Sequence, residues 1–428
     1  MVILKPLIIV NFSTSSLSGG YLRLYEILKR GKAAGLDYVV VTDSDSLKNA
    51  AKIFPDFMKI IANYKVVTGR NGRIWDQVSP LKKLVNEYKR IFRLALIVSQ
   101  TAKEEGVELI VYPSEGKWGI LTSFLASLLS SVPWTAIFQP GASSDQPDLF
   151  QPSYALAPIN PFNVLSHFKA RSQDKRFRTI SKIALCIDFL LLLKASEKTV
   201  ILTVSKSVSE DIGYLAPRVK TLPITPGNGI NLIEYSADLP KHLKYHAIFF
   251  GRLLPEKGFF DLVEIWKKVV EKLPNAKLAV CGIVEKPSIF EEFIKKTSRQ
   301  NLKNNVEILG QQNRTNLIHI IAKSHLTLNP SYVDAFSLVT LESLACGTPV
   351  IAYDISAIRH NYNRCKAVFR CQVGNTECMA RTIVHILTEM NRTPLAAEAK
   401  AFAALYDWNQ VVKAEKEAYS LVIDQKRR

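Results

Sequence analysis

The chain is short of cysteine, of acids and of long apolar runs, and each shortage removes a class of protein. Six cysteines (Cys186, Cys281, Cys346, Cys365, Cys371, Cys378) are scattered among 428 residues without a CxxC pair. That argues against a zinc site or a disulfide framework and fits buried free thiols in a reducing compartment. The most apolar stretch, Ile183 to Leu193, is interrupted by Asp188 and falls short of the ~20 residues a membrane span needs. Met1 to Asn11 is too short for a secretory leader and reads as a first strand. No clustered His, Cys, Asp or Glu is visible, so neither a metal nor a cofactor is expected. Only 38 acids face 56 lysines and arginines, a formal charge of +18. Such an excess calls for an anionic partner: nucleic acid, a membrane surface or a phosphorylated substrate. With no helix-turn-helix, zinc finger or aromatic RNA-binding signature, nucleic acid is not expected.

What is present is a folded α/β chain. It is 47% hydrophobic without a low-complexity tract, and its length implies two domains. In the second half, a strand at His246 to Phe250 leads through Gly251-Arg252-Leu253-Leu254-Pro255-Glu256-Lys257-Gly258 into a helix. There Phe259, Leu262, Val263, Trp266, Val269, Val270 and Leu273 recur at three-to-four spacing. Further strands are expected at Lys277 to Cys281, Val306 to Gly310 and Leu326 to Asn329, with a helix near Thr315 to Lys323. The first half alternates likewise: strands at Pro6 to Val10, Tyr38 to Thr42, Leu109 to Tyr112 and Trp134 to Phe138, a Ser/Gly loop ending at Gly19-Gly20, and a helix from Tyr21. A Pro-, Ser- and Asp-rich stretch from Gln139 to Pro161 reads as a long surface loop. Alternating βα units imply two doubly wound parallel sheets, joined between Arg218 and Lys241. Ligands of such sheets bind beyond the carboxyl ends of the strands, so the expected site is a cleft between the domains.

The segment Asn329 to Val350 carries the most chemistry. Asp334 precedes a short helix marked by Leu338, Leu341, Leu344 and Ala345, and Glu342 lies on its second turn. Ser337 is a candidate N-cap, Gly347 a candidate C-cap, and Pro349 prevents continuation. Backbone N–H groups and the positive helix end between the two acids are a seat for phosphate. Two carboxylates flanking an anion site suit a hydroxyl-rich ligand that carries a diphosphate, which describes a nucleotide sugar. Taken alone, the segment is equally well an ordinary αβ turn with two surface acids.

The surrounding order of motifs decides between these readings. Gly19-Gly20, Val204-Ser205-Lys206-Ser207, Asn228-Gly229-Ile230-Asn231, Gly251-Arg252 to Lys257-Gly258, the paired acids with Gly347-Thr348-Pro349-Val350, and Tyr406-Asp407-Trp408 before a final helix follow one another along nearly the whole chain. In that order the chain resembles the retaining GT-B glycosyltransferases of the GT4 family (glycosyl transferases group 1). The resemblance implies a GT-B fold, two doubly wound Rossmann-like domains facing across a cleft. It implies an acceptor-side domain over residues 1–217, a linker over 218–240, a nucleotide-sugar domain over 241–405, and a helix over 406–428 crossing back. It makes Arg252 and Lys257 the diphosphate clamp, Glu342 the ribose ligand, and Asp334 the carboxylate facing the donor sugar. Backbone N–H groups of Phe336, Ser337, Leu338 and Val339 would reach phosphate or sugar, and Gly19 and Gly20 would allow close approach of the first domain. Ile308 and Leu309 would line the base pocket, although strand packing accounts for them equally.

Two positions depart from the family pattern. Asp334 stands where Glu is usual, one methylene shorter. Gln139, on the acceptor side, stands where many relatives present His, and it cannot take a proton at neutral pH. A front-face retaining mechanism tolerates this, because the departing phosphate oxygen can itself accept the acceptor's proton. His167, His242, His246, His319, His325 and His360 offer no better-placed base. Between Asn160 and Lys182, Lys169, Arg171, Lys175, Arg176 and Arg178 interleave with Phe162, Leu165, Phe168 and Phe177. This suits an anionic membrane interface or, as readily, a solvated helix face. The chain also resembles archaeal members that extend lipid-linked N-glycans. The expected function is therefore retaining, metal-independent transfer of a hexose, from UDP-glucose first and GDP-mannose second, to a growing glycan on a lipid phosphate. It would work at the cytoplasmic membrane face in protein N-glycosylation. The alternatives are a soluble polysaccharide or small-molecule glycosyltransferase, or a catalytically weak scaffold subunit with the same fold.

Overall fold

The computed structural model describes residues 3–12, 19–68, 80–114, 116–139, 190–235 and 242–427. Contact density divides the chain at Gly227/Asn228 and again at Asp407/Trp408. The first unit holds the described residues before Asn228 together with Trp408–Arg428, and the second holds Asn228–Asp407. The stretch 218–240 contains strand and 3-10 structure as well as connecting chain: Lys220–Pro223 is a strand and Leu232–Tyr235 a 3-10 turn.

In the first unit, β1 (Pro6–Ile9), β2 (Val39–Thr42), β3 (Lys65–Thr68), β4 (Leu109–Tyr112), β5 (Trp134–Phe138), β6 (Val200–Thr203) and β7 (Lys220–Pro223) form one sheet in the order β3-β2-β1-β4-β5-β6-β7. Every pairing is parallel. Val, Ile and Leu fill β1, β2, β4 and β6 without alternation, because helices cover both faces. The helices include α1 (Gly19–Ala34), α2 (Ser44–Ile53), α3 (Phe57–Ile61), α4 (Pro80–Glu104), α5 (Lys117–Ser130) and α6 (Lys206–Leu215). A last helix, Trp408–Arg427, packs on α1. There Arg23 and Glu415 form a salt bridge with each side chain only 1% exposed, and Arg23 Nε donates to the Gly227 carbonyl at 2.8 Å. Gly19 and Gly20 are themselves the first residues of α1, so the helix begins two residues earlier than its apolar pattern suggests.

The second unit repeats the plan. Strands β8 (Tyr245–Arg252), β9 (Leu278–Ile283), β10 (Val306–Gly310), β11 (Ser324–Asn329), β12 (Val350–Tyr353) and β13 (Val368–Cys371) lie in the order β10-β9-β8-β11-β12-β13, again all parallel. Helices α7 (Asp261–Lys272), α8 (Pro287–Arg299), α9 (Arg314–Ala322), α10 (Leu338–Ala345), α11 (Ser356–Tyr362), α12 (Thr376–Glu389) and α13 (Arg392–Ala403) connect and cover them. Leu262, Val263, Trp266 and Val269 of α7 are buried against this sheet, as the three-to-four spacing predicts. Strand order reverses between β1 and β4 in one unit and between β8 and β11 in the other. Those are the switch points where doubly wound sheets open a crevice for ligand.

One expectation about cysteine is corrected. Cys371, at the end of β13, and Cys378, in the first turn of α12, form a disulfide across 5.8 Å between Cα atoms. A six-residue turn from strand into helix brings the two together, which spacing alone does not reveal. Cys281, Cys346 and Cys365 are buried free thiols, and Cys186 lies outside the described residues. Among the described residues no helix is long and apolar enough to cross a membrane.

Candidate active site

At the switch point of the second unit, the loop after β8 presses on the loop after β11. Gly258 sits at φ +70°, and a Cβ there would stand 2.0 Å from the Pro330 carbonyl oxygen, so only glycine lets the two backbones approach this closely. Tyr332 N–H donates to the Glu256 carbonyl at 3.0 Å and closes the contact. Lys257, the last residue of a Pro255–Lys257 3-10 turn, thereby reaches across. Its Nζ donates to the Val333 carbonyl at 2.8 Å, to Asp334 Oδ2 at 3.3 Å and to Ser331 Oγ at 3.4 Å. Lys257 and Asp334, singled out separately in the sequence, form one ion pair whose side chains are 21% and 22% exposed. Arg252 is directed differently: its guanidinium lies 3.8 Å from Glu285 and is 53% exposed.

Asp334 also organises the start of α10. Its Oδ1 accepts from Ala335 N–H at 3.0 Å and Ser337 N–H at 3.2 Å. Part of the expected phosphate seat is thus turned onto the protein's own carboxylate. Ser337 occupies the N-cap position but does not cap with its side chain, because its backbone is left-handed at φ +68°, ψ +71°. Its Oγ instead accepts from Asn329 Nδ2 at 2.8 Å and lies 2.9 Å from Thr340 Oγ1, while its carbonyl accepts the Tyr362 hydroxyl at 2.8 Å. Hydrogen bonds from backbone and side chain thus hold a conformation that serine rarely adopts. Phe336 turns its ring into the core against Tyr362 and Tyr406, whereas Leu338 and Val339 are half-buried beside the core. Gly347, at φ +70°, ends the helix region as expected.

Glu342, on the second turn of α10, is 17% exposed and pairs with Arg314 at 3.2 Å. Arg314 opens α9 and also engages Glu234 and the Tyr235 hydroxyl, the latter at 2.8 Å. Burial raises the Glu342 carboxyl above the ordinary range, while the Arg314 guanidinium and the Tyr235 hydroxyl pull it down. Ile308 and Leu309 are half-buried at the end of β10 and pack beside the core. In the first unit, Gln139 Nε2 donates to the Pro113 carbonyl at 2.9 Å. A Cβ on Gly20 would meet Gln139 Oε1 at 3.1 Å, so these two share the switch point of that sheet. Lys169, Arg171, Lys175, Arg176 and Arg178 lie outside the described residues.

Several residues at the second unit's site carry no motif. Tyr332 and Tyr353 both donate to Asp261 Oδ2, at 2.7 and 2.6 Å, which ties the ends of β11 and β12 to the start of α7. Arg314 and Tyr235 are as inconspicuous in the sequence. The one available signal was Asn313, whose side chain caps α9 by accepting from Asn316 N–H and so fixes where Arg314 begins. Among the described residues no group of three His, Cys, Asp or Glu side chains is arranged to hold a metal ion.

This pair of Rossmann-like sheets recurs over almost the full chain in solved glycosyltransferase structures. Sucrose-phosphate synthase of Thermosynechococcus elongatus superimposes with a TM-score of 0.67 at 15% identity, covering 99% of this chain and 100% of that one. The fold is GT-B. A second GT-B structure, Anabaena HepE in complex with UDP and glucose, gives a TM-score of 0.65 at 17% identity over 98% of this chain and 99% of that one. Residues 234–401 match the family described as glycosyl transferases group 1. An uncharacterized glycosyltransferase of Methanocaldococcus jannaschii is 24% identical over 253 residues, 54% of this chain and 62% of that relative. The chain thus spans less than two thirds of the length of that relative.

Proposed function

We propose that the protein is a retaining glycosyltransferase that moves a hexose from a nucleotide diphosphate sugar, UDP-glucose first and GDP-mannose second, to a glycan acceptor. One observation carries the reading: Lys257 and Asp334 meet at the switch point of the second unit's sheet, and Glu342 lies on the helix that follows Asp334. An ammonium there offsets the charge that builds on a departing diphosphate without help from a metal ion. Arg252, exposed at the end of β8, joins it when the donor arrives. Glu342 is the acceptor for ribose hydroxyls, and the backbone of residues 336–339 lies against phosphate or sugar. Gly19 and Gly20 allow backbone approach to the donor phosphate, Gln139 serves the acceptor side, and the departing phosphate oxygen takes the acceptor's proton. A uridine donor is favoured because HepE, which shares the fold, was solved with UDP and glucose bound.

The acceptor in this reading is a growing glycan on a lipid phosphate, as in protein N-glycosylation, met at the cytoplasmic face of the membrane. The net charge of +18 supports an anionic surface as the partner. So does α4, whose outward face presents Val85, Phe92 and Leu96 to solvent with Lys89 and Arg93 between them, the mix that suits a lipid interface.

Thermal stabilisation by UDP, GDP, ADP and their sugars tests the donor site. A shift with one base, larger for one sugar, identifies the donor. No shift with any of them overturns the reading and favours a scaffold role.

A further inference from the structure

We propose that Arg314 is the positioning residue for the nucleoside end of the donor: it holds one oxygen of Glu342 so that the other is presented to the ribose hydroxyls. The inference rests on the reading of Glu342 given above. Three observations carry it. Asn313 caps α9 and thereby fixes the backbone of Arg314 beside α10. The guanidinium is then engaged on three sides, by Glu342 Oε1 at 3.2 Å, by the Tyr235 hydroxyl at 2.8 Å, and by Glu234 through Nε. The Tyr235 ring lies 5.4 Å beneath it. An arginine presents five N–H donors in a rigid fork, so it can serve these partners together where a lysine cannot.

The charges explain what such a cluster selects. One guanidinium is shared by two carboxyl groups, Glu234 and Glu342. This end of the site therefore offers oxygen acceptors to hydroxyl donors. A largely buried carboxyl without Arg314 would lose both its fixed orientation and the cation that offsets its burial. Glu234, in the 3-10 turn Leu232–Tyr235, steadies the guanidinium from the far side.

The test compares binding of UDP and 2′,3′-dideoxy-UDP by calorimetry in wild type and in the Arg314→Met, Arg314→Lys and Glu342→Gln variants, with the guanosine pair substituted if UDP does not bind. Charge-assisted hydrogen bonds from the ribose make wild type prefer UDP by about tenfold or more. Arg314→Met is expected to bring that preference below about threefold while both ligands still bind through the diphosphate. Arg314→Lys, which keeps the charge and the fold but not the fork, is expected to fall between. If either Arg314 variant retains the full wild-type preference and only melts earlier, the residue is merely structural and the proposal is overturned. A different failure is equally legible. If wild type shows no preference, or Glu342→Gln keeps it, the reading of Glu342 itself is wrong and the proposal falls with it.

Discussion

Replacing Lys257 by Met separates what this side chain does for the fold from what it does for the reaction. In the free protein its Nζ serves three oxygens, on Val333, Asp334 and Ser331. None of them is orphaned by the change: Asp334 keeps the N–H groups of Ala335 and Ser337, and the buried Ser331 hydroxyl still donates to the Val333 carbonyl at 2.9 Å. The expected loss of stability is about 1–2 kcal/mol, or a fall of a few degrees in Tm, which leaves the folded population intact at 25 °C. In the proposed reaction this cation faces a departing diphosphate, and removing one preorganised donor of this kind costs about 2.7–4 kcal/mol in the transition state, roughly a hundred- to a thousandfold in turnover. Release of nucleoside diphosphate from the donor identified by thermal shift, normalised to folded protein, measures the second quantity, and a melting curve measures the first. Turnover within about threefold of wild type, together with a lowered Tm, would refute the clamp assignment.

Two further outcomes follow from buried and half-buried charge. Arg23→Met strands Glu415 at a site where both side chains are 1% exposed. Urea unfolding is expected to register a loss of about 3–5 kcal/mol, most of it recovered in Arg23→Met/Glu415→Leu; a double variant as unstable as the single one contradicts the pairing. Burial, reinforced by His246 and Arg392, holds His325 down to about 4. Its folded value lies below that of a free imidazole near 6.5, so the unfolded chain takes up the proton first. Its contribution is complete above about pH 6.5 and is lost as pH falls towards 4. Tm should decline through that window, and less steeply in His325→Asn; parallel pH courses in the two proteins would rule this out.

Strand and helix positions were readable wherever a local period decides them. Leu109–Tyr112, Trp134–Phe138 and Val306–Gly310 fall on the expected residues, and the helix after Gly258 follows its apolar spacing. What escaped is what depends on contacts distant in sequence. Ser337 looks like an N-cap because serine usually is one, yet Asn329, Thr340 and Tyr362 hold it left-handed. Arg314 and Glu234 are 80 residues apart, and no local pattern relates them. The Cys371–Cys378 bond depends on how a strand turns into a helix. At the candidate site, Lys257, Asp334 and Glu342 stood out in the sequence, whereas Arg314, which pairs with Glu342, carried no signature.

The bridge between Ile230 and Asp407 has an architectural consequence. Among the described residues, the chain passes into the second unit at Gly227/Asn228 and leaves it at Asp407/Trp408. Just inside those crossings, Ile230 N–H donates to the Tyr406 carbonyl at 2.9 Å. The two ends of the second unit are therefore stapled together as neighbours, as in a cassette inserted into a host. Such a cassette can be exchanged for the matching unit of a relative by cutting at one place in space rather than two.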